Sequence, residues 1–550
     1  MDGLDGLENL GSYRRGVEKA LEKMTADEIL SRIWARDHTV WKPDPTGIDD
    51  RLGWLHIAET MRQQVPRLRE FLRSVRSDGY RHALLLGMGG SSLAPEVFAG
   101  TFGGGHDALE VAVLDSTDPE AVLAFSERFA PQQTLYIVAT KSGGTVETLS
   151  FFKFFYNRVV NALGPAAAGN HFAAITDPGS RLDDLADQHG FRETFRNDPE
   201  IGGRYSALSY FGLVPAVLTG VNIEKLLDRA STMMARCGPD GPPGENPALL
   251  LGAILGHLAA TGRDKATLVP SQRVAGFGDW AEQLLAESTG KEGTGILPVV
   301  GEPLGEPQIY GDDRLFIHLR LEGDETNDGA LRTLERAGHP VVRLSLRDIY
   351  DLGGQFFLWE LATAVVGHLM GINPFDQPDV ESAKVLARRM VTAYQEKGRL
   401  PEEPSGPATA AALKEFLSQA AAGDYIALQA YLRPAAGMDR ALAALRLRLR
   451  DRYRLATTAG YGPRFLHSTG QLHKGDAGRG LFVQFIPESS PDAPIPDRPG
   501  SPESSMSFGV LLMAQALGDR RALQEAGRRV LTLRLGEDPA GRLESLAGDL

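Results

Sequence analysis

Four short apolar runs, at 82–86, 109–114, 135–139 and 172–175, constrain the fold most. Each is continuous rather than alternating, and helical patterns separate them. Strands of that texture are covered on both faces, as in a parallel sheet flanked by helices. The first run ends in glycines. The second ends in Asp115-Ser116-Thr117-Asp118 and the third in Thr140-Lys141-Ser142-Gly143-Gly144. Further strand patterns lie at 266–269, 315–319, 341–346 and 481–485, beyond a Gly/Pro-rich stretch at 238–247. At 550 residues the chain exceeds one typical core, so several domains are expected.

The reading is α/β: two doubly wound, mainly parallel-sheet units with a helical N-terminal segment and a C-terminal extension. The expected division is 1–75 helical, 76–237 first α/β unit, 238–487 second α/β unit, and 488–550 linker and extension. In the first segment Leu21, Met24, Ile29 and Ile33 recur at helical spacing, and a second helix is predicted over 48–75. Residues 487–505 are rich in Pro and Ser and read as an exposed linker. The tail beyond them reads as helix, helix, then a strand at 530–535, apolar enough to join a sheet.

The net charge of −13 gives no electrostatic attraction to nucleic acid or to an anionic membrane. An anionic metabolite would need positive groups gathered locally. The single cysteine, Cys237, excludes an intrachain disulfide. The acidic opening MDGLDGLENL lacks signal-peptide order, and no apolar run approaches the ~20 residues that span a bilayer. A cytoplasmic protein is expected.

Two loops carry phosphate-binding chemistry. Leu86-Gly87-Met88-Gly89-Gly90-Ser91-Ser92-Leu93 turns a strand into a helix, where glycines admit close approach and helix amides favour an anion. Ser92 stands where a dinucleotide fingerprint needs its third glycine. Thr140-Lys141-Ser142-Gly143-Gly144-Thr145-Val146-Glu147-Thr148 offers hydroxyls, a lysine and free amides, the donor set of a phosphate monoester. Its lysine precedes the glycines, so it is not a P-loop.

Together these loops resemble the sugar-isomerase (SIS) fold of phosphoglucose isomerases. The resemblance implies that Gly90, Ser91, Thr140, Lys141, Ser142 and Thr145 contact a sugar phosphate. Three further segments narrow it. Gly202-Gly203-Arg204-Tyr205-Ser206 is similar to the segment whose arginine lies near the reacting carbons. Glu282-Gln283-Leu284-Leu285-Ala286-Glu287-Ser288-Thr289-Gly290-Lys291 is similar to the segment carrying the base. Asn373-Pro374-Phe375-Asp376-Gln377 through Lys384 is similar to the segment ending in the active-site lysine. The resemblance runs from about residue 30 to the end and is closest to the isomerase half of bacterial transaldolase/phosphoglucose isomerase fusions.

The implied activity is aldose–ketose isomerisation of glucose 6-phosphate and fructose 6-phosphate through a cis-enediol. Such a reaction needs one carboxylate moving a proton between C2 and C1, for which Glu287 is chosen, with Glu282 read as a surface residue. It needs a fixed cation for the enediolate, Arg204 by resemblance. Ring opening falls to Lys384 and a histidine. The family's histidine lies between base and lysine, but His318, His339 and His368 lack the expected loop context and read as structural. The later loop Leu466-His467-Ser468-Thr469-Gly470-Gln471-Leu472-His473-Lys474 offers His467 or His473, and sequence leaves both open. No metal-ligand spacing occurs, so no metal or cofactor is expected.

The resemblance also implies a homodimer. The competing readings are a non-catalytic sugar-phosphate sensor and a dual phosphoglucose/phosphomannose isomerase. A transaldolase barrel of about 250 residues does not fit ahead of the first strand.

Overall fold

The computed structural model describes residues 4–550 apart from 6, 8, 106–107, 402–403 and 489–490. The reading of the opening ten residues therefore falls partly outside the described residues.

Strands β1 (His82–Gly87), β2 (Glu110–Leu114), β3 (Thr134–Ala139), β4 (Phe172–Thr176) and β5 (Glu193–Arg196) form a parallel sheet in the order β2-β1-β3-β4-β5. Ala83 to Leu86 and Leu135 to Ala139 are wholly buried, which is why these runs do not alternate. The chain runs outward from β1 to β2, then returns past β1 to β3. That reversal opens a crevice at the carboxyl ends of β1 and β3, where both glycine-bearing loops emerge. Helix α1 (Val146–Leu163) follows β3 and buries Phe151, Phe152 and Phe155 against the sheet.

The second sheet contains β6 (Lys265–Pro270), β7 (Leu297–Val299), β8 (Arg314–Leu321) and β9 (Val341–Leu346). Its order is β9-β8-β6-β7, with Leu4–Asp5 antiparallel on β9. Helix α2 (Phe277–Thr289) lies between β6 and β7 in the chain. The helix Leu352–Met370 is apolar around its whole circumference and buried almost throughout, against Ile223–Arg236, Pro247–Ala260 and α2. One apolar cluster joins it to both sheets and to the N-terminal helices through Val17, Ile33 and Trp54.

Helix α3 (Val380–Lys397) leads to a third sheet: β10 (Tyr425–Ala430), β11 (Ala456–Tyr461), β12 (Gly480–Ile486) and β13 (Arg529–Arg534), in the order β13-β12-β10-β11, with Gly406–Pro407 beside β13. The run 481–485, expected in the second unit, is instead the centre of this third sheet. The expected boundary at 487 falls between β12 and β13, two neighbouring strands. The tail runs helix, strand, helix: α4 (Phe508–Glu525), β13, and Pro539–Asp549, whose Leu543 and Leu546 cover β13's sheet. Helix α4 lies closely along α3, where a Cβ on Gly518 would stand 2.7 Å from the Ala387 nitrogen.

Two local expectations change. The helix predicted over 48–75 is a turn at Gly53–His56 and helices Ile57–Arg62 and Val65–Ser77. Pro66 cannot donate to the preceding turn, so the helix restarts there. The stretch 487–505 is largely exposed, yet Ala493 and Ile495 are buried in the cluster under α1, and Asn157 of α1 donates to the Ser501 carbonyl over 2.6 Å. Among the described residues no helix is long and apolar enough to cross a membrane.

Candidate active site

The crevice at β1 and β3 is built first by its loops. Thr140 and Thr145 face one another, their hydroxyls 2.8 Å apart, and Ser142 Oγ accepts from the Gly144 amide over 3.3 Å. Gly143 sits at φ +67°, and a Cβ there would meet the Leu182 amide at 2.5 Å. Lys141 turns its ammonium to Asp177 and to the Pro199 carbonyl at 2.8 Å. The hydroxyls of this loop thus bond within the loop itself, while the lysine charge has a carboxylate partner. In the first loop a Cβ on Gly90 would stand 2.1 Å from the Gly203 carbonyl oxygen. The glycines there let the Arg204 turn pack directly on the loop that carries Ser91.

Arg204 is 5% exposed, and all three of its guanidinium nitrogens donate to the protein. Nε donates to Ser288 Oγ at 3.1 Å and Nη1 to Gln377 Oε1 at 2.8 Å, while Glu287 Oε1 forms an ion pair with Nη1 at 3.1 Å. Nη2 donates to the Pro374 and Asp376 carbonyls, each at 3.0 Å. Lys291, buried one turn beyond the base, holds the same Asn373–Gln377 turn through the Asn373 carbonyl and Asp376 Oδ1, both at 2.8 Å. Burial, then the nearby Arg204 charge, pushes its ammonium down to about 8. The base segment and the turn that leads into α3 are thus clamped together by two cations.

Glu287 lies on α2. Its Oε2 accepts from Gln283 Nε2 at 3.0 Å, one helical turn back, and the same nitrogen donates to the His467 carbonyl at 2.8 Å. His467 Nε2 lies 2.9 Å from Glu147 Oε1 at the start of α1. Burial raises the Glu147 carboxyl, but the His467 charge and hydrogen bond outweigh it and hold the group below its ordinary value. Gln471, in the same loop as His467, donates to the Gly290 carbonyl at 2.9 Å and accepts from the Asp379 amide at 2.9 Å. The histidine loop is therefore pinned to both the base helix and the start of α3.

The structure brings Arg204, Glu287 and His467 together beside the phosphate-type loop. Lys384 stands apart, with its side chain 47% exposed on the first turn of α3 and its nearest charged partner Glu381 at 3.9 Å. Its charge still contributes to holding Glu147 ionised. His473 is 2% exposed and packed on Phe482, Tyr425 and Phe465. Burial, then Lys474 and Arg528, pushes its pKa well down, so it is held neutral among these rings. His318 and His339 are buried too, and His368 hydrogen-bonds the Val40 carbonyl at 2.7 Å, the structural roles expected.

Glu282 departs from the surface position expected of it. It borders a cavity of about 570 Å³ with Asp279, Asp115 and Arg464, and Ser468 Oγ lies 3.4 Å away. Burial, then Asp279, pushes its carboxyl up to about 8.

Three participants went unread in the sequence. Gln283 had a signal, one turn before Glu287 on the same helical face. Glu147 stood within the quoted loop, but its partner is 320 residues away. Gln377 stood within the lysine segment with nothing to mark it.

The family model for phosphoglucose isomerase matches residues 56–299. A glucose-6-phosphate isomerase of Rubrobacter xylanophilus is 30% identical over 424 residues, 67% of this chain and 94% of the relative. A probable glucose-6-phosphate isomerase of Methanococcus maripaludis is 28% identical over 383 residues, 63% of this chain and 85% of the relative. Among solved structures, a hypothetical protein of Thermus thermophilus superposes with a TM-score of 0.60 at 26% identity, covering 70% of this chain and 98% of the other. A glucose-6-phosphate isomerase of Chlamydia trachomatis gives the same TM-score at 20% identity, covering 69% and 86%, and shares the fold.

Proposed function

The chain belongs to the glucose-6-phosphate isomerase family and interconverts glucose 6-phosphate and fructose 6-phosphate, and we propose that Glu287, Arg204, His467, Glu147 and Lys384 divide the work of that reaction. The observation that carries this reading is the Gln283 amide. One nitrogen donates to the Glu287 carboxylate and to the backbone of His467, so a proton shuttle and an acid–base group face one crevice.

The phosphate would sit on the hydroxyls and amides of Ser91, Thr140, Ser142 and Thr145, with the Gly90 and Lys141 backbones beside it. Glu147 accepts at His467 Nε2, which assigns the proton there and leaves Nδ1 as the working atom. His467 charged at Nδ1 would protonate the ring oxygen, and Lys384 at the rim would take part in moving the hydroxyl proton. The open sugar then presents C1 and C2 to Glu287, which removes a proton from one and returns it to the other. Arg204 pairs with Glu287 through Nη1, so its part is to aim that carboxylate and supply fixed positive charge as the enediolate forms. His473 is read as structural.

We also propose that the chain is a homodimer. Sedimentation at assay concentration tests it. A cytoplasmic location is our reading of the lone buried Cys237.

The test is conversion of fructose 6-phosphate to glucose 6-phosphate, with EDTA present, by wild type and E287Q. Wild-type turnover lost by orders of magnitude in a folded E287Q supports the assignment. An E287Q enzyme within a few-fold of wild type overturns it.

A further inference from the structure

The loop at 115–118 and helix α4 have no part in the scheme above, yet α4 reaches the carboxylate that holds His467 and the loop reaches α4. Gln515 of α4 is 4% exposed, and its Nε2 donates to Glu147 Oε1 over 2.6 Å. Thr117 is wholly buried beyond the end of β2, and its hydroxyl donates to Gln515 Oε1 over 2.8 Å. The same Glu147 oxygen receives His467 Nε2. The relay has one sense only. An ionised carboxylate accepts and cannot donate, so Gln515 presents its amide nitrogen, and Thr117 then satisfies the amide oxygen.

We propose that Gln515 is a positioning residue for sugar-ring opening, fixing Glu147 so that His467 keeps its proton on Nε2 and offers Nδ1 to the substrate. This rests on the reading that His467 and Glu147 open the ring. The residue type suits the task. A neutral donor stabilises the buried carboxylate without competing for its charge, whereas a lysine or arginine there would claim Glu147 and weaken its hold on the imidazolium. An apolar side chain would leave the carboxylate short of a donor and free to change rotamer. The C-terminal extension thereby reaches into the chemistry, from a helix 368 residues away from the carboxylate it serves.

The test uses the full chain as wild type, H467N, Q515L and Q515E, with fructose 6-phosphate and 5-deoxyfructose 6-phosphate. The deoxy sugar lacks the hydroxyl that closes the ring and is open throughout. Q515L is expected to lose about tenfold or more in kcat on fructose 6-phosphate, the scale of one hydrogen bond to a charged group. It is expected to stay within about twofold of wild type on the open sugar, as is H467N. Q515E keeps the shape and sets two carboxylates to share one proton. Its activity on the ring-closing sugar should persist in mild acid, where the introduced carboxyl is protonated and donates as the amide did. That activity should fall as pH rises, with a flatter profile on the open sugar. Q515E carries the test if Q515L does not fold. Equal losses on both sugars, or none, in the Gln515 variants overturn the proposal while H467N still spares the open sugar. If H467N slows both sugars alike, the ring-opening reading fails, and this proposal falls with it.

Discussion

The base side and the ring-opening side of the crevice are built differently. Arg204, Glu287, Lys291 and Gln377 form one dense knot in which each cation has several fixed acceptors. The ring-opening side is a junction between separately packed parts. Glu147 comes from the first sheet, His467 from the loop before β12, and Gln515 from α4. A knot holds its geometry through local redundancy. A junction holds it only while three cores stay in register, so single hydrogen bonds there carry more of the alignment. The His467 side chain also keeps 16% of its surface open, whereas His473, in the same short loop, is sealed among aromatic rings.

The largest expected effect breaks the base side. E287Q should fold and lose about a thousandfold or more in kcat, because the amide keeps one oxygen for Arg204, gives up the acceptor that faced Gln283, and cannot take the proton. Thermal unfolding beside steady-state kinetics checks this, and a residual rate near wild type would move the base elsewhere. Next, H467N and E147Q should each cost about a hundredfold on fructose 6-phosphate, with a double variant no worse than the single ones, since the pair acts as a unit. Additive losses in that double variant would dissolve the dyad.

H473Q sharpens the contrast between the histidines. It should alter kcat by less than about threefold and leave the pH profile in place, while lowering the unfolding temperature because a tightly packed site is disturbed. A displaced pH profile would return His473 to the chemistry.

The smallest effect concerns Glu282. Its folded-state pKa of about 8 lies above the ordinary 4.5, so its contribution to stability is complete in acid and is lost as pH rises through about 8. The unfolding temperatures of wild type and E282Q should run in parallel below about pH 4.5. They should diverge from there up to about pH 8, with wild type falling further. Curves that stay parallel to alkaline pH would mean that the cavity hydrates Glu282 as bulk water does.

The first sheet was legible because its strands are buried on both faces and appear as unbroken apolar runs. In the third sheet the runs of β12 and β13 were read as strands, but β10 and β11 were missed for the opposite reason. β10 carries Gln429 and β11 carries Thr457 and Thr458, all buried. Gln429 faces His473 at 3.4 Å, and Thr457 faces the Glu302–Arg314–Arg446 network, so polar residues interrupt the pattern where polar partners wait inside. Lys141 shows a limit of another kind. Its place in the loop predicted a phosphate contact, but Asp177 at the end of β4 was invisible as its partner because strand neighbours in a parallel sheet are distant in the chain.

By itself the sequence marked out the two glycine-bearing loops, the carboxylate on α2 that we propose as the base and the lysine on α3. Each depends on a strand–turn–helix or helical spacing encoded within a dozen consecutive residues, where chain geometry leaves little freedom. Only the tertiary structure set His467 beside Glu147 and His473 among aromatic rings, brought Gln515 to Glu147, and turned Arg204 onto Ser288, Gln377 and the Asn373–Gln377 turn. Those outcomes depend on how three sheets and α4 dock. Docking is set by the summed burial of whole faces, a quantity that no local stretch of sequence contains.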